Sequence, residues 1–258
     1  GSVALSEDVT ISAPLVVESG KTVEIDLNGH DIINTTSLPD TDPRYGNTTV
    51  FEVKGDATLN IKGDGDVKAI GTNLNEDGYR MAVYAYGDAQ VNIYGGNFSN
   101  DQDYNNHQAQ LDLIYADQNA VINIYGGTFE SKSANDRGYW VLNLKDGSNA
   151  AINVYGGTFV NFDPSNSMTE NPVKNFVVAT STTVKVSEDP QPNGSYEVVP
   201  EGGVVSVPIE VNDAESLIEA LSNPVVANIE VASSIDLSEK SAEEPTFEEY
   251  KTIDIKEG

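Results

Sequence analysis

Short runs of alternating apolar and polar residues recur along the chain, which is the pattern of half-buried strands. In Val91-Asn-Ile-Tyr-Gly-Gly-Asn-Phe98, Val91, Ile93 and Phe98 alternate with Asn92 and Tyr94, and a glycine pair permits a turn between them. The same eight positions return as Ile122-Asn-Ile-Tyr-Gly-Gly-Thr-Phe129 and Ile152-Asn-Val-Tyr-Gly-Gly-Thr-Phe159. More diverged copies begin Leu59-Asn-Ile-Lys-Gly-Asp-Gly and Val23-Glu-Ile-Asp-Leu-Asn-Gly29. Starts at 59, 91, 122 and 152 give successive spacings of 32, 31 and 30 residues. A fixed period of this size marks a solenoid. A second strand lies upstream in the repeat, as at 82–86 and 141–144, and no helical pattern intervenes. The expected class is therefore all-β, a right-handed parallel β-helix. A leucine-rich repeat needs a helix or a stricter Leu pattern, and a propeller blade is longer, with antiparallel strands.

Parallel stacking in register places like residues above one another, about 4.8 Å apart. The pattern predicts two inward columns, Leu59, Val91, Ile122, Ile152 and Ile61, Ile93, Ile124, Val154. Phe98, Phe129 and Phe159 are expected to stack at one corner. Outward columns of Asn60, Asn92, Asn123, Asn153 and of Lys62, Tyr94, Tyr125, Tyr155 avoid the repulsion of stacked like charges. The tyrosine column reads first as sheet-stiffening packing and second as a platform for sugars. At 111–115 the strand phase is open: Leu111 and Leu113, or Ile114 and Ala116, point inward. Irregular insertions recur once per coil, at 34–49, 71–80, 99–110, 130–140 and 160–176. Their common place in the coil gathers them on one side of the tube, and long loops on a rigid frame commonly carry function.

The coil pattern covers residues 1–196. A solenoid leaves unpaired strands at its ends, so a cap is expected. Residues 197–258 form a separate acidic segment with 15 acids and 3 bases. It contains one amphipathic helix over 212–223, with Asn212 as its cap, Glu215 three residues on, and Ala214, Leu217, Ile218 and Leu221 on one face. The later runs Ile229–Leu237 and Thr252–Gly258 resemble the chain's own start at Val3–Ile11 and Leu15–Thr22. This small α+β segment is either a cap or the start of a further unit.

Composition narrows the function. Of 258 residues, 14 are Lys or Arg and 41 are Asp or Glu, a formal net charge of -27. Such a surface repels nucleic acid and anionic membrane. No apolar stretch reaches the roughly 20 residues of a membrane span. The absence of cysteine excludes disulfides, cysteine zinc sites and a thiol nucleophile. Gly1-Ser2 reads as a cloning remnant, so the start says nothing about secretion.

The Leu27-Asn-Gly-His-Asp-Ile32 entry and the Tyr-Gly-Gly-Thr-Phe repeats resemble the pectin-lyase-like β-helix superfamily, over about residues 3–190. More narrowly, they resemble surface repeat proteins of gut bacteria. The resemblance implies an extracellular or cell-surface module. Its superfamily includes polysaccharide lyases and hydrolases, phage tailspikes and adhesins, so fold does not fix activity.

The leading expectation is a binding or display module whose loop side meets a polysaccharide or a surface protein. The aromatic and basic loop residues Tyr79, Arg80, Tyr104, His107, Arg137, Tyr139 and Trp140 are its candidates, since ring faces stack on sugars and polar neighbours bond hydroxyls. The alternative reading of Trp140, the single tryptophan, is that it covers the core beneath its loop. An enzyme reading takes Arg80, Asp112 and Lys145, about one coil apart, as an outward catalytic cluster. An architectural reading, as a segment of a tandem fibre or phage tail, predicts end-to-end association. Asp101, Asp103, Asn105 and Asp112 are spaced as Ca²⁺ ligands, though Asn106 replaces the glycine and Asp the final glutamate of an EF-hand loop. No other cofactor is expected. His30 and His107 lie on different coils, which gives no support to a histidine metal site or triad.

Overall fold

The computed structural model describes residues 1–35, 49–70, 80–102, 112–133, 140–167, 174–191, 193–223, 225–231, 233–236 and 252–255, with only the backbone at 101–102, 132–133 and 252–255. Over these residues two short strands, β1 (Ser2–Ala4) and β2 (Val9–Ile11), lead into five turns of three strands each. The turns are β3 (Leu15–Val17), β4 (Thr22–Asp26) and β5 (Ile32–Asn34); β6 (Phe51–Gly55), β7 (Thr58–Lys62) and β8 (Asp66–Ile70); β9 (Val83–Gly87), β10 (Gln90–Ile93) and β11 (Asn97–Gln102); β12 (Ile114–Ala116), β13 (Val121–Ile124) and β14 (Thr128–Ser133); β15 (Leu142–Leu144), β16 (Ala151–Val154) and β17 (Gly157–Val160).

Each turn gives one strand to each of three sheets. The first runs β1-β4-β7-β10-β13-β16, the second β2-β5-β8-β11-β14-β17, the third β3-β6-β9-β12-β15. Neighbours within these runs are parallel, so the protein is a parallel β-helix. The repeat copies stack as their spacing predicted: Val23, Leu59, Val91, Ile122 and Ile152 are successive partners in the first sheet. The inward columns join one continuous apolar core along the tube. Phe98, Phe129 and Phe159 stack within it at 5.1 Å intervals, with rings nearly parallel. The glycine pairs make the adjacent corner tight. A Cβ on Gly126 would meet the Tyr94 carbonyl oxygen at 2.9 Å, and Gly127 has φ +105, where an L side chain is strained.

At 111–115 both Leu113 and Ile114 enter the core, together with Ala116, and Tyr115 points the other way. The insertions expected to begin at 99 and 130 begin later, because β11 and β14 continue to Gln102 and Ser133. Inward polar residues make this possible. Asn34, Ala69, Asn100 and Ser131 form one column. Two of its buried amides are paired with backbone: Asn34 Nδ2 donates to the Thr49 carbonyl at 2.7 Å, and Asn100 Nδ2 to the Arg80 carbonyl at 3.1 Å. A buried amide so paired carries little penalty.

Past β17 the chain closes the tube. Phe162 and Phe176 enter the core. The Val154 N–H donates to the Phe176 carbonyl at 2.8 Å, and the Val178 N–H to the Val154 carbonyl at 3.0 Å, shielding the last strand of the first sheet. A hairpin of β18 (Ser181–Ser187) and β19 (Ser195–Pro200) then lays β19 antiparallel along β17. The hairpin crosses residue 196, where the change in composition falls. It also faces two ways: Val198 packs into the tube core, while Val184, Val186 and Val199 belong to a second cluster. That cluster holds β20 (Ile209–Val211), α1 (Ala214–Ser222) and β21 (Asn228–Val231). With β22 (Thr252–Ile255), these strands form a three-stranded parallel sheet in the order β20-β21-β22.

The helix is capped one residue later than expected. Asp213, not Asn212, is in extended conformation and accepts from the Ser216 N–H at 2.8 Å, while Ser216 Oγ accepts from the Asp213 N–H at 3.3 Å. Serine thus takes the reciprocal role assigned to glutamate, and a carboxylate at the cap also suits the helix dipole. Among the described residues no helix is long and apolar enough to cross a membrane.

Candidate functional site

Among the described residues, chain is inserted between coils at the corner between the second and third sheets. Each described turn leaves its second-sheet strand and re-enters at a third-sheet strand only after a longer stretch. Thr49, Met81, Asp112 and Trp140 occupy equivalent re-entry positions, two residues before Phe51, Val83, Ile114 and Leu142, which are partners across the third sheet. Four of the five predicted insertions are therefore anchored along one edge; the stretch 160–176 instead leads to Val177, which bridges Val154 of the first sheet. Trp140 sits at that edge, half-buried, and its carbonyl accepts from the Leu113 N–H of the coil before it at 3.0 Å.

The outer face of the third sheet beside this edge carries a polar and aromatic cluster. Tyr84 stacks on Tyr86 at 4.9 Å and lies 5.6 Å from Tyr115. Tyr86 donates its hydroxyl proton to Glu52 Oε1 at 2.9 Å. Burial, then the bond to and charge of Glu52, push the Tyr86 phenol up to about 12, so it is a neutral donor at any ordinary pH. Higher on the same face, Asn143 Nδ2 donates to Asp112 Oδ1 at 2.7 Å, and Asn143 Oδ1 accepts from the Leu144 N–H at 3.0 Å. Tyr115, Asn143 and Asp112 are all buried, although strand alternation points Tyr115 and Asn143 away from the core.

Of the catalytic candidates, Arg80 and Asp112 are buried and engaged, at 2% and 0% exposure, whereas Lys145 is exposed. The three do not form one solvent-facing cluster of the expected kind. The hydrogen bond found here joins Asp112 to Asn143, which fixes a buried carboxylate rather than presenting an acid or base to solvent. Of the binding candidates, Arg80 and Trp140 are described. Tyr79, Tyr104, His107, Arg137 and Tyr139 lie outside the described residues. The Ca²⁺ candidates divide likewise. Asp103 and Asn105 lie outside the described residues, Asp112 is bonded to Asn143, and the backbone of Asp101 is strand, paired with Ile70 and Lys132. A strand at the first position is not the helix-flanked entry of an EF-hand loop.

The tyrosine column borders a second concavity, a shallow groove of roughly 520 Å³ floored by the glycine pairs and bounded by Thr128, Thr158, Pro200 and Val204. Tyr94, Tyr125 and Tyr155 stack on one another at 4.9 and 4.8 Å with nearly parallel rings. Their faces cover each other, so the column presents ring edges and hydroxyls. Burial, then the neighbouring phenols Tyr155 and Tyr94, raise the Tyr125 pKa. This supports the packing role: both faces of Tyr125 are taken by its neighbours and closed to a sugar. The Tyr84–Tyr86–Glu52 cluster escaped the sequence reading, yet a signal was present: 84 and 86 share one phase of a strand, and Glu52 lies one coil below in that phase.

No protein-family model, curated protein or solved structure matches the chain.

Proposed function

We propose that this chain is an extracellular binding module of the pectin-lyase-like β-helix class, and that its loop-bearing edge recognises a glycan. The observation that carries the reading is the anchoring of successive insertions along one edge of a rigid tube, with Trp140 half-exposed at that edge beside the buried Asp112–Asn143 pair. A rigid frame spares the ligand the cost of ordering its receptor, and an aromatic ring with polar neighbours suits a sugar. The burial of Arg80 and Asp112 speaks against the enzyme reading, which needs those groups open to a substrate.

A glycan microarray probed with the full chain and with Trp140→Ala tests this. The expected result is binding to a defined glycan class that the variant loses by at least about tenfold, while its melting temperature stays within a few degrees. Equal binding by both forms removes Trp140 from the site. Absence of any glycan signal, together with capture of a surface protein, transfers the edge to a protein partner. Release of new reducing ends or unsaturated uronides from a polysaccharide panel would restore the enzyme.

A further inference from the structure

The groove beside the tyrosine column stands out in an acidic chain by its lack of charge. The chain holds 41 Asp and Glu residues. Among the described residues, the groove's lining holds only Asp64 and Glu197, and Glu197 is 5% exposed and bonded to Ser206 and Val207. Three large side chains that the fold leaves exposed, Tyr94, Tyr125 and Val204, border it. Exposed apolar surface gathered at a concavity marks a binding site.

The repeat builds this groove from two ridges and a floor. At each corner the tyrosine stands on the side of the first sheet, the glycine pair leaves bare backbone, and the next residue belongs to the second sheet. Tyr94, Tyr125 and Tyr155 form one ridge, with rings 4.9 and 4.8 Å apart. Asn97, Thr128 and Thr158, successive register partners, form the other. Among the described residues no hydrogen bond takes up the hydroxyls of Tyr94, Tyr125, Thr128 or Thr158. The floor has a fixed length. In the coil below, Asp64 interrupts the glycines as Gly63-Asp64-Gly65. Beyond the last coil, β19 lies antiparallel along β17. Three coils stand between these two stops.

The ridges repeat at the strand spacing of about 4.8 Å. An extended peptide advances about 3.4 Å per residue and returns to the same face only about every 7 Å, so it is out of step by the second coil. A β-1,4-linked pyranose chain advances by close to one coil spacing per residue and carries hydroxyls along both edges of its ribbon. We propose that the groove binds an uncharged β-1,4-linked glycan along the tube axis, one sugar residue per coil, with one edge bonded to the tyrosine ridge and the other to the Asn97–Thr128–Thr158 ridge. The closed ring faces do not oppose this, because contact is made through phenol edges and hydroxyls. Uronate chains are repelled by the net charge of -27. This corner lies between the first and second sheets, away from the insertions, and the site does not rest on the reading of the insertion edge.

Calorimetric titration of the full chain with cello- and xylo-oligosaccharides of increasing length tests this. Affinity is expected to rise by at least about tenfold from disaccharide to trisaccharide and to level off beyond it. Tyr125→Phe combined with Thr128→Val deletes two hydroxyls and is expected to weaken binding by at least about tenfold, with the melting temperature within a few degrees. Trp140→Ala is expected to leave this binding unchanged. If the double variant does not fold, Tyr125→Phe alone is titrated, with an expected loss of about threefold. No binding by either series overturns the proposal. So does affinity that keeps rising past the trisaccharide, or equal affinity in the hydroxyl-deleted variant. Oligogalacturonates that bind as well as the neutral series overturn it too. Binding lost in Trp140→Ala but kept in the hydroxyl-deleted variant supports the insertion edge as the glycan site and overturns this one.

Discussion

The asparagine column of the first sheet allows a quantitative test of how the coils are held in register. Asn153 Nδ2 donates to Asn123 Oδ1 at 3.0 Å, Asn123 Nδ2 to Asn92 Oδ1 at 3.0 Å, and Asn92 Nδ2 to Asn60 Oδ1 at 2.8 Å. The chain of bonds has a direction, so position decides what a substitution breaks. Asn123→Ala removes two bonds and strands one atom on each side, Asn92 Oδ1 and Asn153 Nδ2. Asn60→Ala removes one and strands only Asn92 Nδ2. A typical bond contributes about 1 kcal/mol net, and a stranded buried partner costs about 1–3 kcal/mol. Asn92 and Asn123 are 9% and 8% exposed, so water relieves little there, whereas Asn153 is more open. The expected losses are therefore about 2–4 kcal/mol for Asn123→Ala, which strands two partners, and about 1–2 kcal/mol for Asn60→Ala, which strands one. Urea denaturation at constant m reads both.

Asn123→Asp sharpens the test. Its carboxylate can accept from Asn153 but cannot donate to Asn92, whereas the protonated form can do both. Folding then favours the protonated acid and raises its pKa in the folded state. The contribution is complete below the unfolded carboxyl pKa and lost as pH rises through the folded one, so this variant recovers stability in acid relative to Asn123→Ala. Equal costs at positions 60 and 123, or no acid recovery, would refute the directional ladder.

Other expectations follow from the same geometry. Phe129→Ala empties the middle of the phenylalanine stack, fully buried between two rings at 5.1 Å, and should cost about 3–5 kcal/mol, with exchange accelerated most in the two flanking coils. Glu197 is 5% exposed, and its carboxylate accepts from the Ser206 N–H at 3.0 Å, from the Val207 N–H at 3.2 Å and from Ser206 Oγ. Glu197→Ala should destabilise the protein by about 2–3 kcal/mol and free the Ser206 and Val207 amides to exchange, leaving β4–β13 protected. Tyr86 has its phenol raised from 10.0 to about 12, so its contribution to stability is complete below pH 10 and disappears as pH rises through about 12. Ultraviolet titration should show that Tyr86→Phe deletes a late phenolate step, and Glu52→Gln should move that step to lower pH.

The repeat was legible because a solenoid relates sequence spacing directly to spatial stacking. Each copy of the eight-residue motif meets the same copies above and below, so local pattern and tertiary neighbour coincide. That is why Leu59, Val91, Ile122 and Ile152, the asparagine ladder and the phenylalanine stack could be named from periodicity. The alternation rule failed at the entry to the third sheet, where successive coils bury two consecutive residues, as at Val50-Phe51, Ala82-Val83 and Val141-Leu142. Leu113 and Ile114 are consecutive and both buried, which strand alternation alone does not produce. Asp213 rather than Asn212 caps α1, since two adjacent residues of equal capping ability are separated only by the backbone angle each adopts. Burial of Arg80 and Asp112, two polar residues beside the insertions, was not signalled by the period either. Closure of the tube by an antiparallel hairpin, with its two faces serving two cores, was likewise decided by the folded neighbours. Sequence determined the coil and its columns because their interactions repeat; the closure of the tube, the cap of α1 and the burial of Arg80 and Asp112 are single events, and only the tertiary structure decided them.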